Sequence, residues 1–330
     1  MAEETTTPAH KRGIQDRPLW RLILSTREMP LLIIILVTVF VMANRNPNFL
    51  TVGNLRAVTV GFTPTAIIAV GMSILLVSGG FDLSVGSVLA LSGTICAYLV
   101  LNGMAQPLAV LVVLAMGALI GMANGLMVTK LKINPLIATL GALSIARGLA
   151  QVLTESRSIS GLPESFGTVG NTLLGDVPYM VIIMLVLVII GDLVLRHTRF
   201  FRQVYYIGSN ENAARLSGIA VDRMRILVYM LTSGFAALAG ILLASRLEAG
   251  TPTAAIGLEL TVLAACVIGG ASLSGGEGTV FGAFLGVVFI GLVQNIMTVE
   301  RVSIFWQQAV TGAILVAAVT IDQLIKRRGS

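Results

Sequence analysis

Asp82 and Arg147 are two ionisable residues set among the apolar segments of this 330-residue chain. A charge in such surroundings is costly, so it faces a protein interior or an aqueous path and finds partners there. Asp82 can cap the helix that begins near Leu83, accepting from free N–H groups, or it can face a solute path together with Ser84. Arg147 follows Asn134-Pro135-Leu136-Ile137-Ala138-Thr139-Leu140-Gly141, and its guanidinium cannot discard its charge. It needs an acceptor or a wet cavity. A structural partner and a solute contact both meet that need.

Two short segments share the pattern GGxxLSxG: Gly79-Gly80-Phe81-Asp82-Leu83-Ser84-Val85-Gly86 and Gly269-Gly270-Ala271-Ser272-Leu273-Ser274-Gly275-Gly276. Each sits at the junction of two apolar stretches. Gly-interrupted pairs of this kind can mark broken helices whose freed backbone faces a solute. They can equally be tight turns or hinges, because glycine takes positive φ without steric cost.

The longest charged connection is 196–225. Within it, Ser209-Asn210-Glu211-Asn212-Ala213-Ala214-Arg215-Leu216-Ser217-Gly218 reads as a short helix. Ser209 or Asn210 caps its start, Glu211 suits the N-terminal dipole and Gly218 ends it. Such a helix is either a docking element or part of a basic loop that only fixes topology.

No GxxxxGK[ST] loop is present, so the chain is not expected to bind and hydrolyse ATP by itself. The stretch GGEGTVFG at 275–282 lacks the strand and crossover of a dinucleotide site. Two cysteines (Cys96, Cys266) and two histidines (His10, His197) lie far apart in sequence and form no metal-ligand pattern. Both cysteines read as packing residues. No catalytic constellation emerges.

The elements that must position these residues are membrane helices. Hydrophobic residues make up 55% of the chain and charged ones only 12%, with a mean hydropathy of +0.91. A soluble domain carries about twice that charged fraction. A crossing helix needs about 20 mostly apolar residues, and ten candidates satisfy or approach this: 28–44, 56–78, 84–103, 107–129, 134–154, 178–195, 226–247, 257–273, 279–298 and 304–325. The expectation is an all-α polytopic membrane protein with about ten transmembrane helices.

Placing the N-terminus inside puts sixteen of the 22 Lys and Arg residues on the inner face, including Lys11, Arg12, Arg17, Arg21 and Arg27, against five outside. This bias favours two cytoplasmic termini. The net charge of +6 then reads chiefly as a topology signal. The division expected is a tail at 1–27, one membrane domain at 28–325 with the loop 196–225, and a tail at 326–330. Stripes at Gly117, Gly121 and Gly125 and at Gly278, Gly282 and Gly286 let helices approach closely. They suit packing within the bundle, and also a pore lining or a subunit contact.

Four stretches carry a resemblance: GGFDLSVGSVLALSG (79–93), INPLIATLGALSIARGLA (133–150), IGSNENAARLSGIAV (207–221) and CVIGGASLSGGEGTVFGAFLG (266–286). Together they resemble the ribose/xylose-type permeases, the membrane subunits of bacterial binding-protein-dependent ABC importers. Phe81 stands where the commoner form has Ile. The resemblance implies a permease rather than an enzyme, working in the cytoplasmic (inner) membrane beside a second permease chain, identical or homologous. It also implies a cytoplasmic ATPase, usually with two fused nucleotide-binding domains, and a periplasmic sugar-binding protein. ATP and Mg then belong to the ATPase, and no cofactor belongs to this chain. Nucleic acid is not an expected partner, whereas membrane lipid is.

On the same resemblance, Ser209, Asn210, Glu211, Ala213, Ala214, Arg215 and Gly218 become the coupling helix. Asp82, Ser84, Asn134, Thr139 and Arg147 become candidates for the pathway or its gates, and Gly79, Gly80, Gly269 and Gly270 candidate hinges. The implied function is import of a monosaccharide or small polyol by ATP-driven alternating access. The alternative from another class is an ion-gradient-driven transporter of a small polar solute, which usually shows a chain of carboxylates within its spans. Asp192 and Asp322 form no obvious chain of that kind. A membrane anchor or sensor subunit is a third reading.

Overall fold

A computed structural model describes residues 28–329. The expected tail 1–27, with its five basic residues, lies outside the described residues. Every one of the ten predicted spans falls on a helix: α1 Met29–Arg45, α2 Val52–Val77, α3 Val85–Leu101, α4 Gln106–Thr129, α5 Pro135–Thr154, α7 Tyr179–His197, α10 Val221–Leu247, α11 Leu258–Ile268, α12 Val280–Val299 and α13 Ile304–Gly329. Between them lie the short helices α6 (Thr168–Asn171), α8 (Gln203–Ser209) and α9 (Glu211–Leu216). Among the described residues the fold is all-α apart from a hairpin of two two-residue strands, Leu173–Leu174 against Val177–Pro178, and an isolated bridge between Ile159 and Gly250.

Six of these helices (α2, α4, α5, α7, α10 and α12) are long and apolar enough to cross a membrane. Helices α1 and α3 have 17 residues and α11 has 11. At 1.5 Å per residue, α11 covers only about half of a ~30 Å hydrocarbon core. Its brevity against the expected 257–273 has a local cause. Gly257 at φ 80° precedes it, and Gly270 at φ 93° follows its last turn.

Both paired glycine segments end a helix in the same way. After α2, Gly79 takes φ 81°, with Gly80 N–H donating to the Leu75 carbonyl at 3.0 Å and Gly79 N–H to Leu76 at 2.8 Å. After α11, Ala271 N–H donates to Cys266 and Gly270 N–H to Val267, both at 2.9 Å. These are paired 6→1 and 5→2 helix stops. The left-handed residue is the first glycine of one segment and the second of the other, so the two matching sequences are offset by one residue in structure.

Helix α10 is central, packing on α2, α3 and α4. Every residue of α2 from Thr63 to Val77 is buried, as expected of a helix enclosed on all sides. The glycine stripe of α4 faces α10, where a Cβ on Gly121 would overlap the Tyr229 carbonyl. On α12, Gly282 and Gly286 approach α11 and its end, with Gly286 against the Ala265 carbonyl, whereas Gly278 precedes the helix and packs on Ala271. Cys96 and Cys266 are free and buried. On the outside, Phe40, Ile137 and Val152 are among many large apolar side chains left exposed, a surface suited to lipid rather than water.

Candidate functional site

The connection between α7 and α10 folds into two short helices. Asn210 caps α9, its Oδ1 accepting from Ala213 N–H at 3.0 Å. Ser209 is instead the last residue of α8. Gly218, at φ 81°, closes α9 through Gly218 N–H to Arg215 at 3.0 Å and Ile219 N–H to Ala214 at 3.1 Å. Ala214 is buried against the bundle, whereas Leu216 is 91% exposed. A cavity of about 370 Å³ opens beside it, lined by Tyr206, Ser209, Asn210, Ala213, Ala214, Ser217 and Ile219.

Alternating charges tie this loop to the helices beneath it. Arg215 pairs with Glu211 at 2.8 Å and with Asp222 at 2.5 Å, and Lys130 reaches Asp222 at 2.7 Å. Arg225 pairs with Glu211 at 2.7 Å and donates to the Ser78 carbonyl at 3.4 Å, at the end of α2. Partial burial works to raise the Glu211 carboxyl, but the hydrogen bonds and charges of Arg215 and Arg225 outweigh it and hold the group below the usual glutamate range.

Just ahead of α9 three backbones meet. Gly276 N–H donates to the Val77 carbonyl at 2.8 Å. Gly208 fits between them so closely that a Cβ there would overlap the Val77 oxygen and the Gly276 nitrogen. A Cβ on Gly275 would lie 2.9 Å from the Cα atoms of both Gly79 and Gly208. Tyr205 adds a hydrogen bond to the Gly278 carbonyl at 2.8 Å. The two GGxxLSxG segments, far apart in sequence, are thus joined at the loop that carries α9.

Asp82 is fully buried. Its Oδ1 accepts from Ser84 N–H at 2.8 Å and Ser84 Oγ at 2.6 Å, and its Oδ2 from Asn124 Nδ2 at 3.3 Å and Ser233 Oγ at 3.1 Å. It turns the chain into α3 without capping a first-turn N–H, since Ser84 is the cap position. Asn124 and Ser233 escaped the sequence reading. An Asn inside an apolar span was the available signal for the first. Tyr229, from the same face of α10, donates to the Phe81 carbonyl at 3.1 Å.

Arg147 donates to the carbonyls of Pro252 and Ala254 at 2.8 and 2.7 Å. It holds the turn that leads into α11. Glu259, on the first turn of α11, was also missed, although a carboxylate in an expected span was legible. It packs on Gly86, where a Cβ would strike its Oε2, and that oxygen is buried with no hydrogen-bond partner among the described residues. Asn134 caps α5 through Leu136 N–H at 2.9 Å, and Thr139 is buried, donating to Pro135 at 2.8 Å. The candidates therefore divide among three places: Asp82 with Ser84 ahead of α3, Arg147 against the 252–254 turn, and Asn134 with Thr139 at the start of α5. Among the described residues no group of three His, Cys, Asp or Glu side chains converges as a metal site.

Outward-facing apolar helices, six of them long enough to cross a bilayer, with polar groups tied between them, describe a polytopic membrane protein. The sequence profile described as "Branched-chain amino acid transport system / permease component" matches residues 54–319, and the chain belongs to that family. It is 38% identical to the ribose import permease protein of Escherichia coli K12 over 299 residues, covering 89% of this chain and 93% of that one. The ribose import permease protein of Bacillus subtilis is also 38% identical over 289 residues, 87% of this chain and 90% of the relative. The L-arabinose transport system permease protein of E. coli K12 is 38% identical over 277 residues, 84% of each chain. No solved structure matches. The chain is accordingly a transport component, not an enzyme.

Proposed function

We propose that this protein is the permease of an ABC importer that moves a monosaccharide or related small polyol across the bacterial cytoplasmic membrane. The observation that carries the reading is the near full-length similarity to ribose and arabinose permeases. The structure supports it with a capped, partly apolar helix displayed on a charged loop. In this reading all ten helices belong to the membrane domain and both termini are cytoplasmic, which sets 196–225 on the cytoplasmic face. A second permease chain, a periplasmic binding protein and an ATPase that binds ATP and Mg complete the importer.

Helix α9 is then the coupling helix. The ATPase grips Leu216 and the cavity beside Ala213, and its closure moves α9. The glycine junction at Gly208 passes that movement to the ends of α2 and α11 at once. An ion-gradient transporter would need a relay of titratable groups, yet the partners of Asp82 among the described residues are the neutral Ser84, Asn124 and Ser233.

Membrane vesicles containing the permease with its cognate ATPase and binding protein test the reading. Uptake should stop when ATP is depleted and persist with an uncoupler. The reverse pattern overturns the importer in favour of the gradient-driven alternative.

A further inference from the structure

One cavity lies outside all the contacts described so far. It measures about 560 Å³ and is framed by α2, the turn at 255–257, α11, α12 and α13. That volume is within the range of small-molecule sites, about 300–1,000 Å³. Five of its lining side chains carry groups able to hydrogen-bond: Thr65, Thr261, Gln294, Gln307 and Thr311. None of the lining residues is charged.

Much of this hydrogen-bonding capacity is unused. Among the described residues neither the Gln294 amide nor the Thr65 hydroxyl has a partner. Gln307 Nε2 reaches only the Val302 carbonyl at 3.3 Å and Thr298 Oγ1 at 3.4 Å, leaving its Oε1 open. Thr311 and Thr261 donate to carbonyls one turn back, which leaves their oxygens free to accept. In hydrocarbon, unpartnered amides and hydroxyls cost several kcal/mol each by transfer measurements. This cavity therefore faces water or a polar solute.

We propose that the cavity framed by Thr65, Thr261, Gln294, Gln307 and Thr311 is where the transported solute touches the permease, and that it selects a neutral polyhydroxylated solute. The proposal rests on the importer reading and deepens it. Glutamine amides donate and accept, and threonine oxygens accept, in the alternation that vicinal hydroxyls present. An amino acid zwitterion would find no counter-charge among the lining residues for either end, a penalty that a neutral sugar escapes. The cavity meets α2 near its middle, at Gly61 and Thr65, and meets α12 well away from the glycine junction. Gln294 is fourteen residues beyond Val280, roughly 21 Å along the helix axis. On the topology above, that is the periplasmic half, where a solute released by a binding protein arrives.

The test uses the full importer in membrane vesicles. Cys96 and Cys266 are buried, so single cysteines at Thr261→Cys and Gln294→Cys can be followed with a charged methanethiosulfonate reagent. Leu119→Cys, on the outer face of α4 and 56% exposed, is the lipid-facing control. Both cavity cysteines should react at least about tenfold faster than the control, and D-ribose or L-arabinose during turnover should slow them.

In parallel, Thr261→Val with Gln294→Leu should lower uptake of the transported sugar about tenfold, while stimulation of the ATPase by the binding protein stays within about twofold. Thr261→Ser should retain uptake. Labelling at the control rate means a cavity filled by lipid or by another helix, and overturns the proposal. Fast labelling with unchanged uptake in the double variant also overturns it. Wild-type uptake that does not need ATP removes the importer reading but leaves the labelling result to be judged alone.

Discussion

Glu211 and Arg225 are paired at 2.7 Å, joining the short helix α9 to the first turns of α10. Glu211 also holds Arg215 on its own helix, so one carboxylate serves an intrahelical and a tertiary contact. Because Arg225 reaches the Ser78 carbonyl as well, the pair links α9 to the end of α2. Exposed ion pairs contribute only about 0.2–1 kcal/mol each. Here they tie α9 to α10 and to the end of α2. Glu211→Ala with Arg215→Ala is expected to leave the permease in the membrane at normal level but to lower both ATPase association and uptake. Co-purification measured beside transport checks this, and normal values for both would remove α9 from coupling.

The same carboxylate gives a pH dependence. Glu211 is held below its ordinary value, so it binds fewer protons in the folded loop than in the unfolded chain. Its stabilising effect is complete above the ordinary glutamate range near pH 4.3 and fades as pH falls through the lower folded value. Protease cleavage of the loop should therefore be flat from pH 8 to about 6 and rise only in acid. Glu211→Gln should shrink the acid-dependent increment, leaving the part that Asp222 contributes through its pairs with Lys130 and Arg215.

Leu216 provides a cleaner probe of docking, because it contributes almost nothing to the fold. At 91% exposure it loses little packing when changed, and surface substitutions usually stay within about 0.5 kcal/mol. Leu216→Asp should leave the melting temperature of the purified permease unchanged and weaken ATPase co-purification by about tenfold, the size of a modest interface contact. A fall in melting temperature instead would assign Leu216 to the fold.

The helices were legible because apolar length is a strong signal. All ten segments found by it are helical, and the cap at Asn210 with the stop at Gly218 followed from local backbone chemistry. Helix length was less legible where glycines decide it, as at Gly257 and Gly270 around α11. What could not be read was long-range contact. Asp82 meets Asn124 and Ser233 across 42 and 151 positions, and no periodicity encodes which polar residues of different helices face one another. The small structure at 164–178 was hidden as well, since it is held by Ser245 from α10, whose Oγ donates to Phe166 and accepts from Gly170.

Asp82 is the sole acceptor for several of the buried donors around it. Asp82→Ala strands Ser84 N–H and Ser233 Oγ around an empty space, while Ser84 Oγ keeps only the bond it accepts from Asn124 at 3.0 Å; an unpaired buried group costs about 1–3 kcal/mol. Asp82→Asn keeps an acceptor oxygen in nearly the same volume. In detergent, the Ala variant should melt well below the Asn variant, with wild type highest. Equal melting of the two variants would mean that the network adds nothing to the fold.

Gly208 tests whether the glycine junction is structural, because the contact there is between backbones. A methyl group on Gly208 must displace the Val77 carbonyl, the Gly276 amide or both, and neither belongs to a flexible side chain. Displacing them breaks the hydrogen bond between α2 and the second GGxxLSxG segment. Overpacking of a tight contact costs about 1–3 kcal/mol even where side chains can yield, so Gly208→Ala should lie at or above that range. Gly141 on α5 has nothing within 4 Å of the same position. Gly141→Ala should therefore express and melt like wild type, whereas Gly208→Ala should lose protein or melt several degrees lower. Where enough Gly208→Ala protein assembles, ATPase association should survive and uptake should fail, because α9 remains displayed while its connection to α2 and α11 is lost. Retained uptake in that variant would show that movement reaches the membrane helices by another route.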